Sequence, residues 1–151
     1  MTQTYLENVI MKIVRDALSL ALIASGLLGV EILANDRWLW SAAPSHAYGL
    51  IVFVAIDLTL ALAAFIRVSL ATLGAGLIAT LQLGAMLGDA VVGQPQGVAA
   101  SAFSMYLLSD TSYVGLLAIQ VGILFLAMGA AAATFLHKHG RTVFFTHSQP
   151  R

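Results

Sequence analysis

Apolar positions in this chain fall into four stretches, each long enough to cross a bilayer and each bounded by polar or turn-forming residues. The pattern predicts spans at about 17–34, 46–66, 68–87 and 112–136. A crossing helix needs about 20 apolar residues, so four of them use roughly 80 of the 151 positions and leave only short connections. The expected fold is an all-α integral membrane protein. It is one domain, 1–151: four transmembrane helices in a compact bundle, an N-terminal amphipathic interfacial helix and a short outer surface helix.

Ahead of the first span, Leu6, Val9, Ile10, Ile13, Val14 and Ala17 recur on one helical face, with Glu7, Asn8, Lys12, Arg15 and Asp16 opposite. Thr4 and Glu7 have capping-box spacing, which sets the helix start near Tyr5. This helix runs on or bends into span one. Lys12 and Arg15 before Ala17–Val30 also imitate a secretory signal, with Ala24 and Gly26 near a cleavage position, but the segment is read here as a transmembrane helix. Asn35, Asp36 and Arg37 end it, and Trp38, Trp40 and Tyr48 around a Ser/Ala/Pro loop resemble an aromatic belt.

Pro44 and Ser45 suit the start of span two, Pro in the first turn and Ser as a cap. One helix over 46–88 would be about 60 Å long, twice the thickness of the hydrocarbon core, so a turn must interrupt it. Arg67 is the expected tip and Gly74-Ala75-Gly76 the alternative. Asp89–Gly97 reads as a loop and Val98–Leu108 as the short surface helix. His137, Lys138, His139, Gly140 and Arg141 are expected to stop span four, leaving Phe144 and Phe145 at interface depth.

Composition agrees: 60% of residues are hydrophobic, 9% are charged and the mean hydropathy is +0.91, outside the range of a soluble domain. The absence of cysteine excludes disulfides, thiolate metal sites and cysteine nucleophiles. Net charge is zero, and seven scattered Lys and Arg make no basic stripe for nucleic acid. With both termini inside, Lys12, Arg15, Arg67, Lys138, Arg141 and Arg151 lie inside and Arg37 alone outside. This places both termini in the cytoplasm, in the plasma membrane of a prokaryote, and leaves Glu31, Asp36, Asp89 and Asp110 as an acidic outer rim.

The candidate chemistry centres on Asp57. A carboxylate at a helix centre costs roughly 2.5 to 3.5 kcal/mol on insertion scales, so it requires a partner or a role. Ser25, Gln82 and Gln120 fall at a similar depth, in the outer half, one from each other span, and Ala61 and Ala64 share the face of Asp57. Asp57 is then either a protonatable or cation-binding group, or a neutral acid holding helices in register. No second acid or base at that depth completes a relay.

Small residues form stripes: Ala21, Ser25 and Gly29; Gly76, Thr80, Gly84 and Gly88; and Gly115, Ala118, Gly122 and Gly129. His46, beside the acidic rim, is a candidate copper or zinc ligand. His137, His139 and His147 lie beyond the other end of span four and cannot share a metal with it. No histidine lies within a span to hold a haem and no lysine to form a retinal Schiff base. Gly74-Ala75-Gly76-Leu77-Ile78-Ala79 matches a dinucleotide pattern by letter, but no strand precedes it.

The expected function is a small accessory or structural subunit of a larger membrane complex, of the terminal oxidase or copper-dependent monooxygenase kind, not catalytic on its own. The alternative is a small homo-oligomeric proton- or cation-coupled transporter or channel using Asp57. The chain itself calls for no cofactor; its expected partners are the lipid bilayer and other membrane subunits.

Overall fold

The computed structural model describes residues 2–68 and 70–145, with side chains over 9–68 and 70–133. Its elements are all helices: α1 (Thr2–Asn35), α2 (Arg37–Ala42), α3 (Pro44–Phe65), α4 (Ala71–Val92), α5 (Ala100–Ser109) and α6 (Thr111–Phe145). Four segments are long and apolar enough to cross a membrane: Val9–Asn35, Pro44–Phe65, Ala71–Val92 and Thr111–Ala133. They pack in a ring, α1 against α3 and α6, and α4 against α3 and α6. The short helices α2 and α5 lie at one end, and the α3–α4 turn at the other.

The first helix begins at Thr2, not near Tyr5, and runs on without a break into the membrane-length segment, the first of the two courses the sequence allowed. The reason is visible in the chain: neither Gly nor Pro occurs before Gly26 to interrupt propagation. Thr4 therefore stands within the helix instead of capping it. The side chains of Thr4 and Glu7 lie outside the described residues.

Residues 37–42, expected as loop, form α2. Asp36 caps it, its Oδ1 accepting from Leu39 N at 2.9 Å. Trp40 and Tyr48 are exposed and meet edge to face at 6.0 Å. Trp38 turns inward instead, stacking on Tyr106 and Phe103 of α5. Pro44 occupies the first turn of α3, but Ser45 does not cap it: its hydroxyl pairs with His46 Nδ1 at 3.3 Å.

Arg67 is the tip of the α3–α4 turn, exposed and with φ of 66°. Val68 N donates to Ala63 O at 2.9 Å and closes the end of α3, while Gly74 and Gly76 lie inside α4. At the other helix end, α6 continues through His137–Arg141 to Phe145. Those residues end the apolar stretch but do not break a backbone; Gly140 alone costs about 1 kcal/mol. The side chains of His137, Lys138, His139, Arg141, Phe144 and Phe145, and the whole of 146–151 with His147 and Arg151, lie outside the described residues.

Two apolar layers stack along the ring. Leu18, Leu22, Ala61, Ala75, Ala79 and Ile123 form one, toward the α3–α4 turn, with Ala21 packed against it. Ile32, Leu39, Ala43, Ala47, Met86 and Leu116 form the other, toward α2 and α5. Between α1 and α3, side chains of α3 pack directly onto the glycines of α1. A Cβ on Gly26 would come within 2.8 Å of Leu58 Cδ2, and one on Gly29 would collide with Val54 Cγ2.

The α4 stripe divides. Gly76 faces α6, where a Cβ would lie 3.0 Å from that of Ala127, whereas Cβ atoms on Gly84 and Gly88 would meet nothing within 4 Å. Thr80 is exposed and its hydroxyl donates to Gly76 O at 2.8 Å.

Gly29→Val should therefore destabilise the fold by about 1–3 kcal/mol through overpacking against Val54. Gly122→Ala, where nothing lies within 4 Å, should be neutral or stabilise by up to about 1 kcal/mol. Unfolding in mixed micelles of rising SDS content measures both, and equal effects would refute the close α1–α3 approach.

Candidate functional site

Each long helix contributes one side chain to a buried polar cluster. Ser25 on α1, Asp57 on α3, Gln82 on α4 and Gln120 on α6 are at most 3% exposed. Ser25 Oγ donates to Asp57 Oδ2 at 2.5 Å, and Gln120 Nε2 reaches the same oxygen at 3.1 Å and Ser25 Oγ at 2.7 Å. Gln82 Nε2 donates to Asp57 Oδ1 at 3.1 Å. The helical register makes this possible. Asp57, Ala61 and Ala64 recur on one face of α3, and Ala75, Ala79, Gln82 and Met86 on one face of α4, so alanines bring the backbones close where the polar groups meet.

The cluster lies near mid-span instead of in the outer half. Asp57 is thirteen residues from Pro44 and eight from Phe65, and even within the apolar run 46–66 it lies past the midpoint, so run lengths alone already place it deeper than the outer half. Each Asp57 oxygen faces donors only. The complementary atoms, Gln82 Oε1 and Gln120 Oε1, are buried and have no hydrogen-bond partner. A carboxylate is thus held by neutral dipoles, with two strong acceptors beside it and no cation among its partners.

Above the cluster a cavity of about 310 Å³ runs toward the α2/α5 end. Asp57, Ser25 and Gln82 line its inner end; Asp36, Asp89 and Asp110, with His46, line the remainder together with apolar and aromatic side chains such as Phe53 and Phe103. His46 precedes Asp57 by eleven residues on α3, so the cavity extends roughly 16 Å along that helix at 1.5 Å per residue. On the other side of Asp57 lies the layer of Leu18, Leu22 and Ile123, at most 1% exposed, with Ser19 buried beside it and donating to Ala61 O at 3.0 Å. The cavity runs from Asp57 toward the α2/α5 end.

Helices α2 and α5 cover the mouth. Tyr106 of α5 donates its hydroxyl to Asp36, which also caps α2, and Ser104 donates to Ala90 O at the end of α4. Burial, then the hydrogen bond and charge of Asp36 and the charge of Asp110, push the Tyr106 pKa well above the usual phenol range, so the hydroxyl remains a donor at all ordinary pH. Deeper in, Tyr113 of α6 donates to Met86 O at 2.7 Å. His46 Nε2 lies 3.2 Å from Asp89 Oδ1 and its ring meets Phe103 edge on. Among the described residues no three His, Cys, Asp or Glu are grouped to hold a metal, so His46 has one carboxylate beside it and no ligand set.

Of the residues singled out from sequence, Asp57, Ser25, Gln82 and Gln120 are brought together. Asp36, Asp89 and Asp110 line one cavity with them, while Glu31 points away and accepts from Asn35 at 3.1 Å. Tyr106, Tyr113 and Phe53 carry no sequence signal of a site, but an Asp three residues before Leu39 was a readable cap for α2. Compared with known proteins, the chain matches no family model, no curated protein and no solved structure.

The cluster makes a paired prediction. Asp57→Asn keeps the shape, and rotation of one glutamine amide offers its unpartnered Oε1 to the new amide, so stability should fall by less than about 1 kcal/mol. Asp57→Leu leaves the Ser25 hydroxyl proton and the Gln82 amide without an acceptor, while Gln120 keeps its bond to Ser25 Oγ, and at about 0.6 to 2 kcal/mol per intramembrane bond should cost roughly 1–3 kcal/mol. SDS titration of both variants decides; an Asn variant as unstable as the Leu variant would show that the acid itself is required for the fold.

At the lid, Tyr106→Phe removes the bond to Asp36 and should lower global stability by only about 0.5–1.5 kcal/mol. It should also speed amide hydrogen exchange in α2 and α5 ahead of α1 and α3. Unchanged exchange in α2 and α5 would overturn the lid assignment.

Proposed function

We propose that this protein is a small membrane-embedded cation-binding protein of the transporter class, in which Asp57 is the group that holds or exchanges the cation. One observation carries the reading: a cavity joins an acid-lined mouth to a carboxyl buried at mid-span, and on the opposite side of that carboxyl lies a buried, largely apolar layer. Low-dielectric walls lined by one sign of charge focus the field and raise the local concentration of cations. Asp36, Asp89 and Asp110 supply that sign at the mouth, and among the described residues neither Lys nor Arg lines the cavity. An intramembrane acid facing a cavity is in general a functional group.

In this reading the helices form a compact bundle open to one side of the membrane. The basic residues put that mouth outside, with both termini in the cytoplasm of a prokaryotic cell. A carrier exchanges such a state with one open to the other side; here that exchange would require the layer of Leu18, Leu22 and Ile123 to part.

A second reading, an accessory subunit of a larger membrane complex, draws on the open face of α4. Gly84 and Gly88 allow another helix to approach there, as small residues do between membrane helices. Recovery of a stoichiometric companion polypeptide in mild detergent, cross-linked through Gly84→Cys, supports this reading, and a chain recovered alone or only with copies of itself opposes it.

For the principal reading, the thermal unfolding of purified protein is followed while protons, sodium, potassium and alkylammonium ions are varied. A cation at 100 times its Kd stabilises by about 2.7 kcal/mol. Asp57→Asn should remove the cation dependence while the protein stays folded. Identical responses of parent and Asn variant across the whole panel would sink the proposal. A reporter fused after Arg151 should be cytoplasmic; an external one would reverse the side of the mouth.

A further inference from the structure

Resting on the cation reading, we infer that the cavity ending on Asp57 takes a free organic ammonium ion, a protonated primary amine carrying a compact apolar body. Three features of the site select that chemistry over a bare ion. The inner end offers a carboxylate and, from Gln82, a buried carbonyl oxygen without a partner in a side chain only 3% exposed. Both are acceptors. An ammonium group has three N–H donors and no acceptor, so it pairs with Asp57 and, once the Gln82 amide turns toward the cavity, with Oε1, and it brings no lone pair that would itself need a donor.

The number of ligands decides against a divalent metal. Calcium takes six to eight oxygens and magnesium a near-octahedral shell, whereas no three acidic or histidine side chains are grouped among the described residues. One carboxylate balances one positive charge. A metal ion at Asp57 would also leave most of the cavity unused.

The walls supply the rest. Between the acids at the mouth and Asp57, the cavity is bounded by Leu50, Phe53, Val54, Met86, Phe103 and Leu116. About 310 Å³ is at the lower end of the size of small-molecule pockets, which are apolar with a few placed polar groups. Aromatic faces at Phe53 and Phe103 add attraction for a cation passing them. A bare proton or sodium ion gains nothing from such walls; an alkyl or aryl body gains in proportion to the apolar area it removes from water.

The amine is a free solute and not the headgroup of a phospholipid. A headgroup amine brings a phosphate with it, and a phosphate at the mouth would face Asp36, Asp89 and Asp110; among the described residues no Lys or Arg lines the cavity, Arg37 at the start of α2 lying exposed outside that lining.

Isothermal titration of the full chain in a zwitterionic detergent tests the inference with matched probes: 2-phenylethylamine, its neutral isostere 2-phenylethanol, methylammonium, sodium, and a lysophosphatidylethanolamine. The amine should bind at least about tenfold more tightly than the alcohol and than methylammonium, since a hydrogen bond to a charged group and a buried ring are each typically worth a tenfold factor or more. Asp57→Asn should weaken the amine about tenfold or more and leave the alcohol unchanged.

Equal binding of amine and alcohol, or amine binding untouched by Asp57→Asn, overturns the inference. So does preferential binding of the lysolipid, which would make the ligand a lipid. If sodium or methylammonium binds in an Asp57-dependent way and 2-phenylethylamine does not, the ligand class is wrong and the cation reading stands. If no cation shows any dependence on Asp57, both fail. The ligand comparison needs no variant, so it decides even if Asp57→Asn does not fold.

Discussion

Four helices with little besides apolar contact to orient them are brought to one arrangement by the hydrogen bonds converging on Asp57. Apolar packing alone has weak preferences in a bilayer, because lipid chains are as apolar as leucine and helix association there has no hydrophobic driving force. A carboxyl with a serine and two glutamine donors has few acceptable geometries. One donor comes from each of α1, α4 and α6, so rotating or sliding any of these helices costs at least one buried bond. Gly26 and Gly29 on α1 and the alanines on α3 and α4 let the backbones come close enough for those bonds to form.

The same arrangement divides the interior into two unlike halves. Toward the α3–α4 turn, small and branched apolar residues fill the space to the level of Leu18 and Ile123. Toward α2 and α5, acids occupy positions that packing would have given to leucine, and a cavity results. Asp57 stands on the boundary, with a buried, largely apolar layer on one side and a cavity lined by three further carboxyl groups on the other. That asymmetry, more than the presence of a buried acid, is what the cation-binding proposal rests on.

Much of this was legible in the chain because bilayer thickness forces it. Span count, the turn at Arg67 and the shared level of Ser25, Asp57, Gln82 and Gln120 all follow from apolar run lengths and from counting along helices. What counting missed has physical causes. The end of an apolar run marks where lipid contact ends, not where backbone hydrogen bonding ends, so α6 runs past His137 and α3 begins before His46. The aromatic residues around 38–48 looked like a belt because Trp and Tyr favour interfaces, yet Trp38 found Tyr106 and Phe103, residues some seventy positions distant that no local pattern connects to it. The cavity, a property of what four helices leave unfilled, has no one-dimensional signature.

The tight turn at Arg67 bears on how such a chain enters a membrane. Only residues 66–70 separate α3 from α4, too few for either helix to be inserted and left to equilibrate far from the other. The two are suited to partition as a hairpin, and the Asp57–Gln82 bond lies wholly within it. The costliest residue of the chain therefore has a polar companion from the moment it leaves the aqueous side, before α6, with Gln120, has been synthesised. Biogenesis is eased by the spacing of 25 residues that places the two side chains on facing walls of one turn-linked pair.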